Sequence, residues 1–62
     1  MRFVLDVDLD AGRLAGEDRA AELGRILRYW GGSMKQVTLD AGARQDLYDS
    51  DYAPVGSWRV LD

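Results

Sequence analysis

The sequence EDRAAELGRILRYW, at residues 17–30, is the stretch that decides the fold. At about 100° per residue, its apolar side chains fall within one arc of roughly 120°, which is the width of a helix face that packs on a core. Charged side chains and Tyr29 occupy the rest of the circumference. We therefore predict one helix, and its buried stripe consists of Ala20, Leu23, Ile26, Leu27 and Trp30.

The residues at either end of this segment predict where the helix begins and ends. Gly16 is a tolerable N-cap, and Glu17 and Asp18 follow it where the positive end of the helix dipole favours carboxylates. Gly31 and Gly32 follow Trp30, and glycine readily adopts the left-handed conformation that ends many helices. We expect the helix to begin after Gly16 and to end at the glycine pair.

The segments on both sides of the helix alternate with period two, which is typical of strands that bury one face. We predict strands at residues 2–9, 37–39, 45–49 and 55–61, separated by turns rich in Asp, Ser and Gly. The order is β-α-β-β-β, or β-α-β-β if residues 37–39 are irregular. Hairpins join the later strands, so the sheet is at least partly antiparallel.

The last predicted strand supplies the residue that meets the helix. Trp58 and Val60 share a face, and Trp58 is the largest apolar group available to pack against the helix stripe. In the strand before it, either Leu47 or Tyr48 points inward. The opposite sheet face is either exposed to solvent or covered by a second copy of the chain in a homodimer. A homodimer could also form through an edge strand of the sheet. That outer face carries Val4, Val55 and Leu61 beside Arg2 and Arg59.

The length of 62 residues predicts one small α+β domain, residues 1–62, with one helix on one face of a three- to four-stranded, mainly antiparallel sheet. A domain of this size buries only about 60% of the surface that its unfolded chain exposes, so its stability is marginal. The chain has no Cys, which removes disulfides and thiolate-bound zinc as sources of stability. Oligomerisation remains, and a homodimer is one expectation.

Charge and hydropathy exclude several classes of function. Eight basic residues against 11 acidic ones leave a net charge of −3, which argues against binding to nucleic-acid phosphates. The longest apolar run, at residues 3–5, is too short for a membrane span or a signal peptide. We expect a cytoplasmic protein with no nucleic-acid partner, no membrane partner and no cofactor.

The side chains that activate a nucleophile are missing, and carboxylate pairs, although present, rarely find an enclosed substrate-sized pocket in a domain this small. The chain has no His, and Ser33, Ser50 and Ser57 therefore have no imidazole to activate them as nucleophiles. No glycine-rich loop follows a strand and opens a helix, so a phosphate site of that kind is not indicated. We expect that the protein is not an enzyme.

The acidic residues near the first strand suggest an alternative function. Asp6, Asp8, Asp10 and Glu17 have the spacing of loop positions 1, 3, 5 and 12 in an EF-hand calcium site. Ala11 stands at position 6, where that loop needs Gly, and a strand precedes Asp6 where an EF-hand has a helix. The favoured interpretation is an acidic strand that runs into a turn, with divalent-cation binding as the alternative.

A second acidic cluster, at residues 49–51, consists of turn-forming types. Aspartate and serine side chains hydrogen-bond to the nearby backbone, and turns select them for that reason. We therefore interpret Asp49, Ser50 and Asp51 as a turn rather than as a metal site.

The polar side of the predicted helix offers a candidate binding surface. Tyr29 lies beside Arg25 and Arg28, and tyrosine with arginine is the composition that protein–protein hot spots favour. We predict that Arg25, Arg28 and Tyr29 bind a partner protein, with an open sheet edge as the other candidate surface. An acidic mimic of DNA is the weakest hypothesis, because a net charge of −3 is modest for that role.

Three segments carry a resemblance to known proteins: MRFVLDVDLD, ELGRILRYW and YDSDYAPVGSW. Together they are similar to a group of short proteins of actinobacteria and their bacteriophages, with an E-L-x-R-I-L-R helix at residues 22–28 and a D…VG-W hairpin at residues 49–58. This chain has a longer loop at residues 50–54, where those proteins tend to have Asn-Gly. The resemblance implies a small cytoplasmic phage or prophage protein and no particular activity. We expect it to act by binding a host or phage protein, or by self-association.

Overall fold

The chain folds in the order strand, helix, strand, strand, and the computed structural model describes all residues 1–62. It confirms an α+β domain in which one helix packs with a three-stranded antiparallel sheet. Residues 37–39 form no strand, so the shorter of the two predicted orders is the observed one. The elements are β1 (Arg2–Val7), a 3₁₀ turn (Gly12–Ala15), α1 (Arg19–Ser33), a second 3₁₀ turn (Met34–Gln36), β2 (Arg44–Tyr48) and β3 (Pro54–Leu61).

The last strand, β3, lies at the centre of the sheet between β1 and β2. It runs antiparallel to both, with Trp58 opposite Leu5 on one side and opposite Gln45 on the other. Gly56 pairs with Val7 and Leu47 in the same way. A Cβ atom at Gly56 would lie 2.9 Å from the Val7 Cα and closer still to the carbonyl oxygen of Asp6. The close approach of β1 and β3 therefore requires glycine at this position.

A bulge changes the side-chain alternation at the start of β3. Leu47 pairs with Gly56 and Tyr48 with Pro54, which leaves Val55 as the extra residue. Val55 is only 2% exposed and belongs to the core. The prediction that Val55 lies on the outer sheet face is therefore wrong, because an inserted residue shifts the strict alternation from which that prediction was made.

The core lies between the helix and one face of the sheet. Trp58 is at its centre, with its ring centroid 5.4 Å from that of Phe3 and 5.6 Å from that of Trp30. The structure confirms that Trp58 and Val60 face the helix, and of the two candidates in β2 it is Leu47 that is buried. The fully enclosed apolar residues are Leu14, Ile26, Leu47, Val55, Trp58 and Val60.

Both predicted ends of the helix are wrong. Asp18, not Gly16, precedes the first helical residue, since a 3₁₀ turn that buries Leu14 occupies residues 12–15. At the other end the helix continues through Gly31 and Gly32 as far as Ser33. The residues one turn apart on either side of the glycines, Trp30 and Met34, both pack against the core. Tertiary packing thus outweighs the low helix propensity of glycine.

The helix is also rotated relative to the predicted stripe. Ile26 is buried and Leu23 and Trp30 pack against the core, as predicted, but Leu27 is 47% exposed and Ala20 lies at the surface. Glu22 is buried in their place, at 7% exposure. The prediction for Ala20 and Leu27 is wrong because the inward arc is centred on Ile26 and includes a carboxylate that the apolar pattern could not reveal.

Candidate functional site

A groove of about 430 Å³ lies between α1, β2 and the turn that leads into β3. This volume falls within the range of ligand-binding clefts. Four aromatic side chains line it, together with Arg25, Gln45 and Asp46 among the polar residues. The aromatic residues are Tyr29, Trp30, Tyr48 and Tyr52.

The aromatic rings of the groove connect the surface with the core. Tyr29 is 60% exposed, and its ring meets Trp30 edge-on at a centroid distance of 5.3 Å. Trp30 in turn meets the buried Trp58 edge-on. On the opposite wall Tyr48 is 47% exposed and Tyr52 is 85% exposed. Because Trp30 is held by the core, one wall of the groove is rigid, while the tyrosine rings at its rim are accessible.

The three residues predicted to bind a partner are placed differently from one another. Tyr29 and Arg25 both line the groove, whereas Arg28 is exposed and lies outside its lining. Arg25 is already engaged: its Nε donates to Glu22 at 3.1 Å, and its Nη2 donates to the carbonyl oxygen of Tyr48 at 3.0 Å. Arg25 therefore ties the helix to the end of β2, a structural role that its sequence pattern did not indicate.

Glu22 joins the helix to the turn beyond β2. Its carboxylate accepts hydrogen bonds from the backbone N–H of Ser50 at 2.7 Å and from the Ser50 hydroxyl at 2.8 Å, in addition to the bond from Arg25. The Ser50 amide is the main cause that holds the pKa of Glu22 below its ordinary value of 4.5. The charged form of Glu22 is therefore the form that the fold stabilises.

Asp49 organises the same turn from within. One carboxylate oxygen accepts the backbone N–H of Arg13 at 2.9 Å, and the other accepts those of Asp51 at 2.8 Å and Ala53 at 2.9 Å. The Arg13 amide contributes most to lowering the pKa of Asp49 below its ordinary value of 3.8. The interpretation of residues 49–51 as a turn is confirmed, and Asp49 also fastens the 3₁₀ turn near Gly12 to the sheet.

No protein-family model, curated protein or solved structure matches this chain. The resemblance to short actinobacterial and phage proteins therefore stays a prediction. No helix in the structure combines the length and the apolar character needed to cross a bilayer. The groove and its supporting hydrogen bonds are accordingly the basis for inferring function.

The carboxylates of the alternative cation site are not gathered into one group. Asp8 accepts the backbone N–H of Asp10 at 2.9 Å, and Asp10 pairs with Arg19 at 3.7 Å. Asp6 lies in β1, and Glu17 lies in the turn before α1. No set of three or more acidic side chains is placed to hold a metal ion. The acidic stretch instead forms the turn that follows β1.

The structure adds residues that the sequence reasoning did not assign to a site. Tyr48 and Tyr52 flank the turn at residues 49–51. This spacing of two tyrosines around a turn is the one feature of the sequence that points to an aromatic site there. Their position near Tyr29 depends on how α1 packs against β2, and the local sequence does not predict that packing. Glu22 and Asp49 are buried anchors that the sequence pattern does not reveal, for the same reason.

The two anchored carboxylates predict how stability depends on pH. Since each pKa is lower in the folded chain than in the unfolded one, ionisation stabilises the fold above the ordinary pKa values of 4.5 and 3.8, and this stabilisation is lost as pH falls through the lowered values. We expect the melting temperature to be nearly constant from neutral pH to about pH 5 and to fall steadily below that. Circular-dichroism melts across this range measure it.

Matched variants distinguish the contribution of these two carboxylates to acid-dependent stability from that of the other acidic residues. Asp49→Asn and Glu22→Gln should each lower the melting temperature at neutral pH and flatten its acid dependence. Asp40→Asn serves as the control, because Asp40 is exposed and its side chain makes no hydrogen bond or ion pair. An Asp49→Asn variant with the acid dependence of the unaltered chain would contradict the assignment.

Proposed function

We propose that the protein is a non-catalytic binding module whose groove between α1 and β2 takes up an extended apolar segment of a partner protein. The observation that carries this proposal is the concave arrangement of Tyr29, Trp30, Tyr48 and Tyr52 around an open groove. Tyrosine and tryptophan dominate the binding energy of protein interfaces, because they offer a large contact area at little cost in conformational entropy.

The chemistry of the groove favours an uncharged segment. Arg25 is bound to Glu22 and to the Tyr48 carbonyl, and Asp46 pairs with Arg44 at 2.9 Å. The charged side chains along the groove are thus partnered within the chain, and an incoming charge would find none free. What remains is aromatic surface with tyrosine hydroxyls that can bond to a peptide backbone. Aromatic-lined grooves of this kind bind proline-containing segments in the polyproline II conformation.

Tyr52 lies at the rim of the groove in an unusual backbone conformation that its turn imposes. Its φ is +63°, a conformation that bulky residues rarely adopt, and its side chain is 85% exposed. Burial of the ring therefore does not offset the backbone cost, which is on the order of 1 kcal/mol. The hydrogen bonds of the hairpin, from the Tyr52 N–H to the Asp49 carbonyl and from the Asp49 N–H to the Ala53 carbonyl at 3.0 Å each, hold this conformation, and the exposed ring is left free to contact a partner.

The expected result for this site is that Tyr29→Ala combined with Tyr52→Ala weakens peptide binding by about tenfold or more, the effect of losing interface hot spots. The probe is a set of peptides selected from a displayed random library on the immobilised protein. We expect proline and aliphatic residues to be enriched in the selected peptides. Tryptophan fluorescence, to which Trp30 and Trp58 both contribute, then quantifies the binding, and chemical-shift changes at Tyr48 and Tyr52 locate it.

The controls for this experiment lie on the same helix and at the same turn. Leu27→Ala and Arg28→Ala change exposed positions outside the groove and should leave peptide affinity unchanged. Tyr52→Gly removes the ring but relieves the positive φ, so it should weaken binding without lowering stability. Affinity that depends on Arg28 and not on the two tyrosines would overturn the groove assignment.

Arg25 is unsuitable as a probe of binding alone. Arg25→Glu would remove its hydrogen bonds to Glu22 and to the Tyr48 carbonyl, and would place a second carboxylate beside a buried one. A loss of binding in that variant would not distinguish contact with a partner from displacement of the helix. The phage or prophage association and the cytoplasmic location remain predictions.

A further inference from the structure

The two edges of the sheet differ in how they are protected from pairing with another strand. The β2 edge contains the irregularity at Leu47 and Tyr48, the Arg44–Asp46 ion pair, and the Arg25 guanidinium bonded to the Tyr48 carbonyl. Bulges and charges of this kind are standard means of blocking an edge. The β1 edge has a regular register along its whole length, and its charged side chains, Arg2 and Asp6, form no ion pair within the chain. It is the open edge of the sheet.

The backbone groups that β1 leaves free follow from its pairing with β3. The N–H of Asp8 donates to the Val55 carbonyl at 2.8 Å, so residue 8 points its amide towards β3. In an antiparallel ladder this direction alternates along the strand. The N–H and C=O groups of Phe3, Leu5 and Val7 therefore point outward, away from β3. No other strand lies on this side of the sheet.

We propose that β1 pairs antiparallel with β1 of a second copy of this chain, with Val4 opposite Val4, so that the two sheets form one continuous sheet. In this register Phe3 lies opposite Leu5 of the second copy, and the outward backbone groups of both meet as hydrogen-bonded pairs. Phe3 is 46% exposed on the helix side of the sheet, and the second copy would cover its ring.

Charge complementarity selects this register. It places Arg2 of each copy opposite Asp6 of the other, on the outer sheet face, and opposite charges at such positions stabilise a strand pair. Within one chain the two residues are separated by four positions of extended strand, roughly 13 Å, which is too far for an ion pair. Both are exposed, and neither forms an ion pair within the chain. The strand is thus self-complementary in charge about Val4.

Other registers of the β1–β1 pair satisfy fewer of its backbone hydrogen bonds or leave its charges unpaired. A shift by one residue would put outward backbone groups opposite inward ones. A shift by two residues would place Arg2 opposite Asp8 but Asp6 opposite Val4. Asp8 lies beyond the end of β1, and its carboxylate already accepts the N–H of Asp10. Only the register centred on Val4 pairs both charges of β1.

The test is the concentration dependence of molecular mass, measured by sedimentation equilibrium on the whole chain. We expect a monomer–dimer equilibrium that weakens by roughly tenfold or more in Arg2→Asp and in Asp6→Arg, because each change sets like charges opposite one another at both symmetric positions. The combined variant, Arg2→Asp with Asp6→Arg, should restore dimerisation. Arg28→Glu, a charge reversal at an exposed position of α1, is the matched control.

Hydrogen exchange provides an independent readout of the same contact. The amides of Phe3, Leu5 and Val7 should become protected as the protein concentration rises, while the amide of Val4, already bonded to β3, should change little. The Tyr29→Ala and Tyr52→Ala variants should dimerise normally, which separates this proposal from that of the groove. A chain that stays monomeric at all concentrations overturns the proposal, and protection of these amides by a strand of another protein would not rescue it. A dimer whose affinity is unchanged by both charge reversals overturns it as well.

Discussion

Replacing Gly56 with alanine is expected to destabilise the fold by more than about 3 kcal/mol, beyond the usual cost of overpacking a core. The added methyl group would meet the Asp6 carbonyl oxygen and lie 2.9 Å from the Val7 Cα. Both contacts are with the backbone of β1, and β3 is held on its other side by β2, so neither strand can move without breaking its pairing. Urea denaturation followed by circular dichroism measures the change.

A second glycine in the same chain provides the control for this substitution. Gly31 lies inside α1, and a Cβ atom there would meet nothing within 4 Å. Gly31→Ala should therefore stabilise the protein by about 0.5–1 kcal/mol, because alanine has the higher helix propensity. The same chemical change is thus expected to have opposite signs at the two positions. A Gly56→Ala variant as stable as the unaltered chain would contradict the close strand approach.

Removing the central aromatic residue should have a comparably large effect. Trp58→Ala is expected to cost about 3–5 kcal/mol, the range for truncating a buried aromatic side chain. A 62-residue domain has a total stability of about 3–9 kcal/mol, so this substitution should remove at least about a third of it and lower the melting temperature markedly. The reason is that Trp58 is 1% exposed and contacts both Phe3 and Trp30. Thermal melts and near-ultraviolet circular dichroism measure the loss.

Trp58→Phe tests how much of this effect is due to the aromatic ring. The indole N–H of Trp58 is buried without a hydrogen-bond partner, a situation that costs about 1–3 kcal/mol. Phenylalanine removes that unpaired donor and keeps one ring, although it leaves part of the indole volume empty. We expect a much smaller loss of stability than for alanine. A Phe variant as unstable as the Ala variant would show that the shape of the indole, and not its burial alone, holds the core together.

The groove depends on the same packing as the fold. Trp30 forms one wall of the groove and also contacts Trp58, while Glu22 and Asp49 hold the turn that carries Tyr52. The positions of the tyrosine rings are therefore set by the same contacts that hold the helix, the turn and the sheet together. Variants of Glu22 or Asp49 should weaken peptide binding indirectly, in proportion to their effect on the turn.

The sequence by itself determined the class of elements and the centre of the core. Period-two alternation located β1 and β3 to within two residues, and period-3.6 spacing located the helix. The size of Trp58 and the alternation around it were enough to place it against the helix. These features are local, because each depends only on the spacing of apolar side chains along one segment.

The tertiary structure alone decided the ends and rotation of α1, the burial of Val55 and the formation of the groove. The helix continues through two glycines because Trp30 and Met34 both pack on the core, and it turns Glu22 inward because the Ser50 amide and hydroxyl lie there to receive the carboxylate. Each of these outcomes joins residues distant in the chain. A polar anchor such as Glu22 resembles any surface charge in the sequence, since only its partners in space distinguish it.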